Sequence, residues 1–472
     1  MSLDLRGTLL LAVDVSLALA TSSHILLHKR QPRSALLWIM WVWTLPIMGS
    51  LAYLYFGYNK VGRPPHRPVQ APVKGREPSF EALAAAVSGS ELRRGNRVLP
   101  LSNGGEAYPA MLRAIAQARH CVDLQTYLFD LDGIGEAFLM ALEAAAKRGV
   151  RVRVLIDGLA AWGARGTLRR RLKLAGGEAR AYWRLDRLFG QPLLNLRNHR
   201  KLMLVDGSLA FTGGLNISQR YSKGPLARLR DLRWLARQRP ALRDMHFRLH
   251  GPVCADLQDS FDTDWKHSGG REAARATPRR AWPPLPGEIG GVSARVLRSG
   301  PDEDLERIYE LLLGALSQAR HSVDLCTPYF IPDQALLASL RVLGYRGIRV
   351  RLFVPRECDH PFIGWAAQEY FHDLLDAGVE VYEVGAPFSH TKLTLVDGTW
   401  ASFGSSNLDP RSFRLNFELN VGARSPALVR RLKAIVEGYR REAHRVDLAQ
   451  LRRRRPWQRL RSALVNLAAP YL

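Results

Sequence analysis

The chain has 472 residues, with 68 Lys plus Arg against 43 Asp plus Glu and a formal net charge of +25. A composition that is 47% hydrophobic and 24% charged excludes wholesale disorder, and the length accommodates roughly two to four domains. Cys121, Cys254, Cys326 and Cys358 are scattered with no CxxC, which excludes a disulfide scaffold or a cysteine-built zinc site. The positive excess asks for an anionic partner, nucleic acid or an acidic membrane surface, and composition does not choose between them.

The amino-terminal segment begins to choose. Gly7 to Leu27 is apolar apart from Asp14 and a few hydroxyls, about 21 residues or ~31 Å as helix, enough to cross a bilayer core. A basic turn, His28-Lys29-Arg30-Gln31-Pro32-Arg33, is followed by a second apolar span from Ala35 to Phe56. Trp38, Trp41 and Trp43 lie near one end of that span and Tyr53, Tyr55 and Tyr58 near the other, as headgroup-level aromatics do. Residues 1–58 therefore read as a membrane hairpin. Lys60, Arg63, Arg67, Lys74 and Arg76 outweigh the turn, so the positive-inside rule puts the downstream chain in the cytoplasm, at the cell (inner) membrane.

Residues 59–95 form a basic linker with Pro64, Pro65, Pro68, Pro72 and Pro78. A second break, residues 268–291, divides the remainder into 96–267 and 292–445, ahead of a basic amphipathic tail, 446–472. The two halves repeat each other. The segment from Ala114 to Thr126 aligns with Ala315 to Thr327, Arg148 to Val154 with Arg346 to Leu352, and His199 to Asn216 with His390 to Asn407. Each copy reads helix, strand, helix, strand. In the first these are 111–119, 122–128, 135–147 and 150–156; in the second, 311–318, 323–330, 334–343 and 348–354. Strands joined by helical crossovers predict a mainly parallel sheet with helices on both faces. The expected fold class is α/β: two tandem α/β/α sandwich domains related by pseudo-twofold symmetry, preceded by two transmembrane helices, with the site in the crevice between them.

The motif that carries chemistry occurs once per half. His199-Arg200-Lys201 runs into Leu202-Met203-Leu204-Val205-Asp206-Gly207, then Gly213-Gly214-Leu215-Asn216. His390-Thr391-Lys392 runs into Leu393-Thr394-Leu395-Val396-Asp397-Gly398, then Gly404-Ser405-Ser406-Asn407. Alternation along a strand puts each imidazole and ammonium on one face. Two lysines, the Asn216 and Asn407 amides, Ser405 and a small-residue turn suit a phosphoryl group. One imidazole can attack phosphorus while the other protonates the leaving alcohol. Each imidazole also wants a carboxylate, and the candidates downstream are Asp244 in the first half and Glu418 in the second. Asp206 and Asp397 precede glycine and read equally as catalytic groups or as caps of a strand turn.

A duplicated HxKxxxxD followed by GG/SxN resembles the phospholipase D superfamily. Trp41-Val42-Trp43, Tyr55-Phe56-Gly57, Pro328-Tyr329-Phe330-Ile331-Pro332, Asn407-Leu408-Asp409-Pro410-Arg411-Ser412 and Asn416-Phe417-Glu418 narrow the resemblance to the membrane-anchored bacterial cardiolipin synthases. The resemblance implies two phospholipase D-like domains. It implies a catalytic set of His199, Lys201, Asp206, His390, Lys392 and Asp397, a phosphohistidine intermediate, and no metal or other cofactor. It also implies phosphatidyl transfer between two phosphatidylglycerols with release of glycerol, and anionic phospholipids as substrate and surface. A hydrolase of the same superfamily differs only in using water as acceptor. A membrane-tethered nuclease suits the charge but finds no nucleic-acid module here, so no nucleic-acid partner is expected. One departure stands out: the basic insertion 223–242, with Arg228, Arg230, Arg233, Arg237 and Arg239, interrupts the run toward Asp244.

Overall fold

The computed structural model describes residues 5–29, 32–57, 79–182, 196–221, 241–271, 282–301 and 304–467. The described residues up to 57 form one compact unit and those from 79 onward a second. Most of the linker and of the 223–242 insertion lies outside the described residues.

In the first unit, Leu5–His28 is a continuous helix, and Gly7–His28 is the one helix among the described residues long and apolar enough to cross a membrane. The second apolar stretch is not the single helix expected. It runs as Pro32–Thr44 and Pro46–Ala52, closed by a π-turn at Tyr53–Gly57. Proline has no N–H, and its ring clashes with the carbonyl four residues back. Leu45 accordingly leaves helical geometry at φ −137°. A polar seam joins the segments: Thr21 Oγ1 donates to Ser50 Oγ at 2.9 Å, Trp43 Nε1 to Ser22 Oγ at 3.1 Å, and His24 Nδ1 lies 3.0 Å from the Tyr53 hydroxyl. Such hydrogen bonds hold apolar helices together where no hydrophobic drive exists.

The second unit is built on one large sheet, with Leu242–Arg243 and Phe388–Ser389 forming a separate two-stranded one. The first half supplies β1 (Arg93–Ser102), β2 (Cys121–Thr126), β3 (Arg151–Asp157), β4 (Glu178–Tyr182), β5 (Arg197–Asn198), β6 (Leu202–Val205), β7 (Leu209–Gly213), β8 (Leu242–Arg243) and β9 (Met245–His250). The second supplies β10 (Ile289–Ser299), β11 (Ser322–Cys326), β12 (Arg349–Pro355), β13 (Glu380–Val384), β14 (Phe388–Ser389), β15 (Leu393–Val396), β16 (Trp400–Gly404), β17 (Asn416–Arg424) and β18 (Ala443–Arg445). The strand order is β4-β3-β2-β6-β7-β9-β1-β10-β17-β16-β15-β11-β12-β13-β18, a near-palindrome about the antiparallel β1–β10 ladder.

The pseudo-twofold relation is present, but the two side-by-side sheets expected are a single continuous one. The sheet is also less parallel than expected: in the main ladder only β2–β3–β4 and β11–β12–β13, the strands joined by helical crossovers, run parallel.

Helices cover both faces. Asn103–Gln117, Gly133–Lys147 and Trp162–Ala175 cover one face of the first half, and Arg307–Ser317, Gln334–Tyr345 and Pro361–Asp376 repeat them in the second. Asp132 and Asp333 cap the corresponding helices by accepting from Gly135 N–H and Leu336 N–H, both at 3.0 Å. The opposite face carries Val253–His267 and Pro426–Glu442 over a core drawn from both halves, where Phe247 and Phe403 stack with centroids 3.7 Å apart. The arginines that alternate along β3 and β12 are partly interior. Arg153 grips Asp123 with two bonds at 2.7 and 2.8 Å, and Arg351 grips Asp324 at 2.6 and 2.9 Å. Fork-to-fork pairing satisfies both buried charges. Cys121, Cys254 and Cys326 are buried free thiols.

Part of the tail is docked rather than loose. The helix Pro456–Leu467 packs on Pro361–Asp376, with the Arg461 guanidinium 3.9 Å from the Trp365 ring centroid and the Tyr370 hydroxyl donating to Asn466 at 2.8 Å.

Asp206 and Asp397 occupy equivalent turns in the two halves. Both have left-handed backbone, φ 50° and 51°, where β6 and β15 turn back. The Asp206 carboxylate accepts from the N–H groups of Arg119, His120 and Cys121, at 2.8 Å from His120; Asp397 accepts from Arg320, His321 and Ser322, at 2.7 Å from His321. Four strand residues, about 13 Å, separate each from its lysine. Both carboxylates pin a turn onto the start of β2 and β11, as the cap reading expects. Asp206→Asn and Asp397→Asn are expected to lower unfolding free energy by about 1–3 kcal/mol while turnover per folded molecule stays within about threefold. Loss of turnover by orders of magnitude at unchanged stability, read by urea melts beside kinetics, would return them to the chemistry.

Candidate active site

His199 and His390 each sit just before a core strand, at the point where a short strand of one half pairs with the other half. β5 runs parallel to the start of β17, matching Arg197 with Asn416 and Asn198 with Phe417. The next amide continues the ladder, His199 N–H donating to the Phe417 carbonyl at 2.9 Å. β14 pairs with β8 in the same way, Phe388 with Leu242 and Ser389 with Arg243, and His390 N–H donates to the Arg243 carbonyl at 2.6 Å.

Register then dictates the partners. His199 Nδ1 lies 3.0 Å from Glu418 Oε1, and His390 Nδ1 lies 2.7 Å from Asp244 Oδ2. Both candidate carboxylates therefore hold a histidine, but across the halves, not within them. The insertion 223–242 leaves Asp244 in position. An ionised carboxylate only accepts, so each Nδ1 carries the proton and each Nε2 keeps its lone pair.

The lysines fold back beside the imidazoles. Lys201 Nζ donates to the His199 carbonyl at 2.7 Å and lies 5.4 Å from the Tyr127 ring centroid. Lys392 Nζ donates to the His390 carbonyl at 2.6 Å and lies 2.9 Å from Nδ1 and 3.3 Å from Nε2 of the same residue. All four side chains are buried.

Burial dominates the electrostatics. It pulls the Lys201 ammonium down to about 7, against the attraction of Glu418. It pushes the Asp244 carboxyl up to about 6, against Lys392 and the Met245 N–H. It lowers both imidazoles, His390 well below the ordinary histidine value, with Lys392, Lys201 and His199 adding repulsion. Burial also works to raise Glu418, but the His199 imidazole, Lys201 and the Ser405 hydroxyl outweigh it and hold that carboxyl below the glutamate range. The site thus gathers two neutral imidazoles, two carboxyl groups and two lysine amines in one buried setting.

The three residues expected at the phosphate are differently employed. Ser405 Oγ donates to Glu418 Oε2, so it braces the carboxylate that holds His199. Asn216 is committed at both ends of its amide, accepting from Leu128 N–H at 3.2 Å and donating to the Tyr221 hydroxyl at 3.0 Å. Of these three residues Asn407 keeps an open acceptor, its Oδ1 being buried with no partner among the described residues. At the position of Ser405 the first half has Gly214, where a Cβ would lie 2.2 Å from Asp244 Oδ2. Glycine there admits the Asp244 carboxylate instead of phosphate.

Aromatic residues complete the walls: Tyr329 from the Pro328–Pro332 run, and Tyr127 and Tyr221, which the sequence did not single out. The Tyr127 ring stands edge-on to His199 at 4.9 Å, and Tyr329 and Tyr221 face His390 at 6.1 and 6.2 Å. Tyr329 is held by Asp359, to which its hydroxyl donates at 2.8 Å. Beneath the motifs, Arg200 donates to Asp264 at 2.7 Å and to the Ser299 and Glu418 carbonyls at 3.2 and 3.1 Å, tying the halves together. Its place inside the motif was the available signal. Among the described residues no group of three or more His, Cys, Asp or Glu side chains could hold a metal ion.

Comparison with known proteins agrees with this geometry. Residues 111–226 and 312–439 match the family model described as cardiolipin synthase, PLD-like domain, and residues 16–57 match that of the phospholipase D-nuclease N-terminal segment. A cardiolipin synthase of Geobacillus kaustophilus is 30% identical over 94% of this chain and 90% of its own length. Cardiolipin synthase 1 of Bacillus cereus is 34% identical over 84% of this chain and 80% of its own. The phosphatidylserine synthase of Haemophilus influenzae shares the fold, with a TM-score of 0.58 at 15% identity over 79% of this chain and 95% of that one. Both imidazoles, both lysines and the carboxylates of Asp244 and Glu418 converge on one buried centre, and the chain belongs to the cardiolipin synthase family of the phospholipase D superfamily.

Proposed function

We propose that this phosphatidyltransferase joins two phosphatidylglycerol molecules, releasing glycerol, through a phosphohistidine. The observation that carries the reading is the pair of imidazole–carboxylate dyads, each with its own lysine. The anionic donor phosphodiester, once bound, lets one imidazole take up a second proton on Nε2; the Nε2 of the other, still neutral, attacks the phosphorus, the N–P bond forms, the P–O bond to the headgroup glycerol breaks, and the protonated imidazole gives that oxygen its proton. The acceptor hydroxyl then returns a proton to that imidazole as its oxygen bonds to phosphorus and the N–P bond breaks. Lys201 and Lys392 neutralise charge on the phosphoryl oxygens in a buried setting where it counts most. His199, Lys201, His390 and Lys392 are the catalytic residues of this reading, Asp244 and Glu418 position the imidazoles, and Asn407 meets the phosphoryl group or its hydroxyl.

The apolar amino-terminal segment anchors the enzyme by two passes, the broken second helix being tolerated in lipid, with the catalytic unit on the cytoplasmic side. The docked tail adds a surface contact. Trp457, Leu460 and Leu464 are 54, 62 and 57% exposed along one stripe of its helix, flanked by Arg455 and Arg459, as suits an anionic interface.

Purified full-length protein given phosphatidylglycerol in mixed micelles is expected to form cardiolipin and an equal amount of glycerol in the presence of a chelator. His199→Ala and His390→Ala should each lower the rate by about a thousandfold or more. In sealed vesicles, externally added short-chain phosphatidylglycerol should turn over only in inverted ones. Phosphatidic acid as sole lipid product would replace the transferase with a hydrolase, and full activity in either histidine variant would refute the double displacement.

The free site loses the charge of Lys201 as pH rises through about 7. With that charge needed to receive an anion, kcat/KM should fall by about tenfold per pH unit above that point, while kcat, reporting the anion-occupied site, falls at higher pH. A kcat/KM that is flat between pH 7 and 9 would remove Lys201 from substrate capture.

A further inference from the structure

The two orienting carboxylates are carried to their histidines by different means. Glu418 lies inside the long strand β17 and pairs in register with Ser299 of β10, so a continuous ladder brings it to His199. Asp244 has no such strand around it. It falls between β8, which belongs to the small sheet, and β9, which begins at Met245. The β1–β9 ladder ends one pair short of it, at Ser102 with Met245.

Asn103 supplies the missing pair. Its N–H donates to the Asp244 carbonyl at 2.8 Å, as the next rung of an antiparallel ladder would. The reciprocal rung is made differently. At Asn103, φ 60°, the chain turns into the helix Asn103–Gln117, and the Asp244 N–H donates at 3.0 Å to the side-chain Oδ1 in place of a strand carbonyl. Left-handed backbone is costly for most side chains and readily adopted by asparagine, whose amide can stand in for a peptide group. One residue thus turns the strand into a helix and still completes its ladder.

The two bonds grip the peptide groups on both sides of the Asp244 Cα, and the carboxylate has its own fixed partners. Its Oδ1 accepts from Met245 N–H at 2.7 Å, and its Oδ2 lies 2.7 Å from His390 Nδ1. A shift of this backbone therefore shifts the carboxylate and the imidazole together. Small displacements of a reacting group are expensive in rate.

We propose that Asn103 is a positioning residue of the reaction: its N–H and Oδ1 fix Asp244 and, through Asp244, the ring of His390. The inference rests on the phosphohistidine reading above and divides its two dyads, because Asn103 acts on the His390 dyad and the β10–β17 ladder on the other.

Two substitutions separate the side chain from the turn. Asn103→Gly keeps the left-handed conformation and removes the acceptor, whereas Asn103→Asp keeps both. In full-length protein with phosphatidylglycerol in mixed micelles, Asn103→Gly is expected to lower kcat by about tenfold with KM within about twofold, and Asn103→Asp to stay within about threefold of the unsubstituted enzyme. Nitrogen-15 spectra of histidine-labelled Asn103→Gly should show a changed tautomer signature for His390, identified by its loss in His390→Gln, and an unchanged one for His199. General loosening of the fold would not produce that split. An undiminished kcat in Asn103→Gly, equal changes in both histidines, or an Asn103→Asp slowed by tenfold or more would each overturn the proposal. The spectra require no turnover, so an unsubstituted enzyme that forms no cardiolipin would overturn the transferase reading while the histidine signatures still decide the role of Asn103.

Discussion

The fold turns on two short parallel strand pairings, β5 with β17 and β14 with β8. Each is only two residues long, yet each puts a histidine of one half against a carboxylate of the other. Neither half alone contains an imidazole with its orienting partner. The active centre therefore exists only when the halves are closed on each other, and the continuous sheet, the shared core around Phe247 and Phe403, and the buried Arg200 all hold that closure. Burying two imidazoles and two lysines is costly. The expense is met by pairing each imidazole with a carboxylate and each ammonium with a carbonyl. What remains is a set of shifted ionisations suited to neutral-pH chemistry.

Symmetry of backbone and asymmetry of side chains have separate consequences. The repeated turn at Asp206 and Asp397, the repeated Arg–Asp forks in β2–β3 and β11–β12, and the repeated caps at Asp132 and Asp333 serve folding alike in both halves. Differences collect at the centre. Ser405 braces Glu418 where Gly214 makes room for Asp244, and Arg197 is half-buried where its counterpart Phe388 is packed away. A reaction with one donor and a chemically different second step needs such inequality between two equivalent histidines.

Much of this was legible in the sequence. The duplicated HxK with its following strand located both imidazoles and both lysines, and the repeated Val-Asp-Leu strands located the cores. Asp244 and Glu418 were found as carboxylates, but their exchange between halves was not, because pairing of β5 with β17 is a contact between residues some two hundred positions apart that no local pattern encodes. Asp206 and Asp397 sit at fixed spacing from the lysines for a reason of strand length rather than chemistry, so spacing alone left their role open. The single sheet was missed because helical crossovers dominate the pattern, while the long strands β1 and β10 that fuse the halves begin within stretches that read as linkers. The break that Pro46 makes in the second apolar span shows only in the structure, because apolar periodicity continues across it.

The cross-half dyads are most directly tested by nitrogen-15 NMR of histidine-labelled protein, comparing Glu418→Gln with Asp244→Asn. Removing the Glu418 charge is predicted to change the tautomer signature of His199, identified by its loss in His199→Gln, and to leave His390 in its Nδ1-protonated form; Asp244→Asn should do the reverse. A Glu418→Gln spectrum in which His390 changes and His199 does not would contradict the account.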